Sequence, residues 1–84
     1  MIPGFLSNRR RDLERLREAM AAGDLGAVGG IGHTLRGVGG GYGFHGISQI
    51  GERIESAAGM QRREDAQAAI DELASYLARV RVQT

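Results

Sequence analysis

The chain is 84 residues long and contains 14 glycines, one proline and no cysteine or tryptophan. This length supports one small domain, and the missing cysteines exclude a disulfide scaffold, a thiolate metal site and a cysteine nucleophile. A net charge of +1, with arginine as the only basic residue type besides histidine, leaves no broad field for nucleic acid or an anionic membrane.

Four segments read as helices and none as a strand. The first runs from about Pro3 to Ala22. Proline suits a first helical position, where its missing N–H costs nothing. Leu6, Leu13, Leu16 and Met20 form an apolar stripe at helical spacing. Gly23 is free to take the left-handed backbone that closes a helix. The arginine run from Arg9 to Arg11 is followed by Asp12, Glu14 and Glu18, and reads as a solvated, ion-paired helix face.

Asp24 can cap the second helix, which runs from about Leu25 to Tyr42 and ends at Gly43. Glycines stand at 26, 29, 30, 32, 37, 39, 40 and 41 within it. Each costs about 0.5–1 kcal/mol relative to alanine in a helix interior, so packing must hold this helix together. The third helix runs from about Phe44 to Ala58, with Ile47, Ile50, Ile54 and Ala58 on one side and Gly59 as its end. The fourth runs from about Glu64 to Arg81. Glu64 and Asp65 lie at its start and Arg79 and Arg81 near its end, as the macrodipole favours. Ala66, Ile70, Leu73, Leu77 and Val80 face inward.

Short connections make neighbouring helices antiparallel. The expected fold is therefore all-α, an up-down antiparallel four-helix bundle, with residues 1–84 as a single domain. No apolar run approaches the roughly 20 residues of a membrane span. No basic segment leads into an apolar run with a small-residue cleavage site, so the cytoplasm is the expected location.

The second helix carries the residues with chemistry. At 100° per residue, Val28, Ile31, Leu35, Val38 and Tyr42 fall about 140–180° from His33 and form the expected buried stripe. His33 then faces outward. Gly26, Gly29, Gly37 and Gly40 lie within about 40° of it, with Arg36 about 60° to one side and Gly30 about 60° to the other. The imidazole stands on a face almost bare of side chains, open to the surface of another macromolecule. A lone helical histidine is more often an ordinary surface or structural residue. Glycines also permit close helix packing, which suits Gly32 and Gly39, nearer the core side.

The run His33-Thr34-Leu35-Arg36-Gly37, followed by Gly43-Phe44, Ile47 and Ile54-Glu55, resembles the histidine-containing phosphotransfer (HPt) family. That family's pattern is His-x-Leu-Lys-Gly, then a small-residue stretch, a Gly-apolar pair and a Leu-Glu-like pair. Ala21 to Leu25 is similar to the linker that precedes its phosphorylated helix. The resemblance implies His33 as phosphoacceptor, Arg36 in the lysine's place as a phosphoryl-stabilising group, and Glu55 as a hydrogen-bond partner of the imidazole. It implies a docking face at Gly29, Gly37 and Gly40 for a receiver domain. The sequence departs from the pattern in having arginine for lysine, which keeps the charge but changes its geometry, and in its glycine-rich helix.

The residue types suit that chemistry. Free imidazole has a pKa of about 6.5, so its neutral form is a competent nucleophile near pH 7. One ring nitrogen attacks phosphorus while the other keeps its proton, and a carboxylate on that N–H fixes tautomer and orientation. The implied partners are a response-regulator receiver domain, which supplies an aspartate and Mg²⁺, and a hybrid histidine kinase. No cofactor is expected on this chain, and a monomer is expected. No Walker loop or kinase nucleotide motif is present, so a phosphocarrier without ATP-dependent kinase activity is expected.

Two alternatives come from the same residues. One is a non-catalytic helical-bundle interaction module whose glycine-lined groove receives a partner. The other is the phosphoacceptor domain of a larger chemotaxis-type histidine kinase. Glu55 is otherwise a surface carboxylate paired with Arg53 or Arg62. His45 reads as a surface residue at a helix start.

Overall fold

A computed structural model describes the backbone of residues 2–81 and the side chains of residues 4–80. Four helices fill it, α1 (Ile2–Ala21), α2 (Leu25–Gly41), α3 (His45–Gly59) and α4 (Arg63–Arg81), and there is no strand among the described residues. The expected bundle is therefore the observed one, with helix limits within one or two residues. Pro3 falls inside the first turn of α1; its side chain and that of Arg81 lie outside the described residues. No described helix is long and apolar enough to cross a membrane.

The three connections repeat one design. After α1, the amide of Gly23 donates to the Met20 carbonyl at 3.0 Å and that of Asp24 to the Ala19 carbonyl at 2.9 Å. This double closure needs a left-handed residue, and Gly23 has φ +72°. Asp24 then accepts from the amide of Ala27 at 3.0 Å, capping α2. After α2, Gly43 at φ +80° fills the same place, and the Phe44 amide donates to the Gly39 carbonyl at 2.8 Å. After α3 the left-handed residue is Gln61, at φ 57°, and the Arg62 amide donates to the Ala57 carbonyl at 2.8 Å. Gly59 is thus the last residue of α3 and not its terminator. The turn falls where the packing of Ala57 and Ala58 ends, and a left-handed glutamine there costs about 1–2 kcal/mol that the closure must offset.

The apolar stripes meet in one core. Leu16, Val28, Leu35, Ile47, Ile54, Ile70 and Leu73 are fully buried within it. Phe5 also enters the core, stacked on Phe44 with ring centroids 5.0 Å apart. Three expectations change here. Tyr42 is 62% exposed, because Phe5 occupies the core end of the stripe and Tyr42 lies on its outer side, centroids 4.7 Å apart. Ile31 and Val38 are only half-buried. Arg9 is buried, not solvated: it donates to Asp12 at 2.9 Å, and its guanidinium lies 4.9 Å from the centre of the Phe5 ring. Arg9 stands three residues after Leu6 and four before Leu13, so it continues their stripe into the core.

α2 and α3 touch backbone to backbone. Gly32 and Gly39 of α2 and Gly51 of α3 are buried in their seam. A Cβ built on Gly39 would stand 2.6 Å from the backbone nitrogen of Ser48, closer than real Cβ atoms come. The contacts run Gly29 to Ala58, Gly32 to Glu55, Arg36 to Gly51 and Gly39 to Ser48, which makes the pair antiparallel. Arg53 pairs with Glu72 across α3 and α4, and Arg63 donates to the Met20 carbonyl at 2.8 Å, tying α4 to the end of α1.

Candidate functional site

His33 sits in the middle of α2 with its side chain 63% exposed. The rotation that buries Val28 and Leu35 turns it to solvent. Glu55 lies one residue past the buried Ile54 on α3, at the edge of the same seam. Its Oε2 is 3.0 Å from Nδ1 of His33. Arg36, one turn on from His33, brings Nη1 to 3.5 Å from the other carboxylate oxygen of Glu55. The structure thus brings together all three residues that the sequence nominated for chemistry. Arg53 and Arg62 pair instead with Glu72 and Asp65.

Protonation follows from the donor inventory. Arg36 Nη2 lies 3.4 Å from Nδ1 of His33. Arginine only donates, so a bond there needs an unprotonated Nδ1, whereas the Glu55 contact needs an N–H. The two exclude each other. The Glu55 contact is shorter and its acceptor is charged, so we assign the proton to Nδ1, donating to Glu55. Arg36 is then a cationic neighbour of the ring and an ion-pair partner of Glu55. Among the described residues no hydrogen bond reaches Nε2, which this tautomer leaves with a free lone pair.

The glycines near His33 are of two kinds. A Cβ on Gly37 would meet nothing within 4 Å, on Gly40 only Ser48 Oγ at 3.7 Å, and on Gly29 only Ala58 Cβ at 3.5 Å. Gly37 and Gly40 are exposed and Gly29 is half-buried. Gly26, Gly29 and Gly30 line an open groove that runs from His33 and Glu55 toward Gly59. Packing within the chain therefore does not require glycine at 37. His45 is the exposed first residue of α3, and no group of three or more potential metal ligands occurs among the described residues.

The Hpt domain family model matches residues 1–83, essentially the whole chain. The chain belongs to the Hpt domain family. Hpt domains are histidine phosphotransfer domains of phosphorelays; they carry phosphoryl groups without a kinase activity of their own and interact with response-regulator receivers. No curated protein and no solved structure gives a significant match. In this Hpt domain the sequence motif and the four-helix fold agree.

Two residues beside the site escaped the sequence reading. Gly51 lets α3 reach α2 at the level of Arg36. Its signal was present: it lies four residues after Ile47 and three before Ile54, a glycine in the inner stripe of α3. Ser48 donates its hydroxyl to the Arg36 carbonyl at 2.8 Å, a contact for which the sequence holds no local cue.

Proposed function

We propose that His33 accepts a phosphoryl group on Nε2 and exchanges it with the aspartate of a receiver domain. The observation that carries this reading is the Nδ1–Glu55 hydrogen bond at 3.0 Å, which holds one nitrogen protonated and leaves the other as the nucleophile. In the loading direction the Nε2 lone pair forms the N–P bond as the P–O bond to the aspartyl carboxylate breaks. The carboxylate leaves with the electron pair. The proton on Nδ1 stays in place, and the ring becomes cationic beside the Glu55 carboxylate. Arg36 offers a second positive charge to the phosphoryl oxygens, which spread negative charge in the transition state. The partner's Mg²⁺ supplies charge neutralisation on the aspartate side; this chain is proposed to hold no cofactor.

The bare face at Gly29, Gly37 and Gly40 is read as the landing surface of the receiver. Hybrid histidine kinases, whose receivers carry the same aspartate, are proposed as partners too. The chain acts as a monomeric cytoplasmic carrier, and its role is transfer rather than ATP-dependent phosphorylation. The test is labelling by a phosphorylated receiver and by a small phosphoramidate. An acid-labile, base-stable adduct is expected on the natural chain and none on His33→Gln. An adduct of equal yield on His33→Gln removes this reading.

A further inference from the structure

The glycines of α2 divide into those that face solvent and those that face α3, and the second group bears on His33. A Cβ on Gly32 would stand 2.8 Å from the backbone nitrogen of Glu55 and 2.9 Å from the Gly51 carbonyl oxygen. A Cβ on Gly51 would stand 2.6 Å from the backbone nitrogen of Arg36 and 2.8 Å from the Gly32 carbonyl oxygen. All four are backbone atoms, so no rotamer change relieves the overlap and the helices must part. Two of them belong to the residues that flank the imidazole. This close approach therefore requires glycine at both positions, although alanine has the higher helix propensity.

We propose that Gly32 and Gly51 are positioning residues for phosphotransfer. By letting α2 and α3 meet backbone to backbone, they bring the Glu55 carboxylate onto Nδ1 of His33 and select the tautomer that leaves Nε2 free. This rests on the reading of His33 as phosphoacceptor. The distances support it. With a Cβ on Gly51, the gap to the Arg36 nitrogen must open from 2.6 Å to an ordinary contact of 3.4 Å or more. The Nδ1–Oε2 bond starts at 3.0 Å and is lost by about 3.6 Å. The required parting is as large as the slack in the bond. Glu55 can follow in part by changing rotamer, so the tautomers mix rather than invert. The Ser48 bond to the Arg36 carbonyl clamps the same level of the seam.

The test uses the full chain labelled with ¹⁵N, because the two imidazole nitrogens report the tautomer directly. The natural chain is expected to hold His33 in the Nδ1–H form. Gly51→Ala and Gly32→Ala, checked for helix content by circular dichroism, are expected to move it toward the mixture of a free histidine side chain. Each should slow phosphorylation by a phosphoramidate by about tenfold, a sub-ångström share of the ~10²-fold that 1 Å of misplacement brings. The double variant should slow it by less than the product, since the first alanine has already parted the helices. Gly41→Ala, where a Cβ meets nothing within 4 Å, should change neither reading. Unchanged nitrogen shifts and rates in both single variants overturn the proposal. So does outright unfolding of both, which assigns the seam to stability alone. A natural chain that shows the Nδ1–H form, disturbed by the alanines, but takes no phosphoryl group refutes His33 as phosphoacceptor and leaves the positioning intact.

Discussion

In the proposed transfer, a carboxylate 3.0 Å from one nitrogen of His33 acts twice. Before transfer it keeps the proton on Nδ1; after transfer it faces the cationic ring. Glu55→Ala removes both effects while taking away a side chain that is one-third exposed, so the bundle is expected to stay folded. Transfer is expected to slow by about 10–100-fold, the range that follows when the partner orienting a metal-ligating histidine is lost. Rapid-quench phosphotransfer beside a thermal melt checks this; an unchanged rate shows that the contact is incidental. Gly37 makes the complementary case. A side chain there has open space around it, so Gly37→Gln should fold normally. It should slow transfer from a receiver severalfold by crowding the landing face. Labelling by a small phosphoramidate, which needs no landing face, should hardly change. Equal slowing of both donors would place the defect in the imidazole rather than in docking.

At the level of the helix, α2 has the lowest intrinsic tendency to form, yet it is continuous from Leu25 to Gly41. Its ends are well built, with Asp24 capping the start and Gly43 turning the exit. Its middle is held by α3, through the seam at Gly32, Gly39 and Gly51. A helix with so little propensity in reserve depends on its cap. Asp24→Ala is expected to cost about 1 kcal/mol, read as a lower urea midpoint with an unchanged slope. A loss under a few tenths of a kcal/mol would mean that packing on α3 alone carries the helix. The helix limits and caps were legible because Asp24, Gly23 and Gly43 each do a local job that few residue types can do. Gln61 was not, because nothing local marks a glutamine as left-handed and the turn is placed by the packing of Ala57 and Ala58.

Across the whole molecule, charge matters according to where the bundle puts it. Asp12 is buried, with side-chain exposure of 10%, and binds both Arg9 and Arg15. Asp65 is paired with Arg62 at 3.8 Å, but both side chains are about two-thirds exposed. Asp12→Ala strands the buried Arg9 guanidinium and is expected to cost about 1–3 kcal/mol. Asp65→Ala is expected to cost between zero and about 0.5 kcal/mol. Denaturation of the two variants side by side checks the ordering; equal losses would show that Arg9 finds water or another partner. In sequence the two aspartates look alike, each three residues from an arginine. Only the place of Arg9 between Leu6 and Leu13 hinted that one pair faces inward.

Local patterns by themselves determined the four helices, the cap at Asp24, the turns at Gly23 and Gly43 and most of the core, because helical spacing and turn chemistry act over a few residues. They also placed His33 opposite the apolar stripe with Arg36 beside it, while Glu55 was named by the resemblance to the HPt family. Tertiary structure alone decided what those companions touch. His33 and Glu55 are 22 residues apart and meet only because two backbones approach closely enough for a 3.0 Å hydrogen bond. Helical spacing had already put Gly32 and Gly39 nearer the core side, but that Gly51 of α3 stands against Gly32 is decided only by the second helix, which no local pattern records.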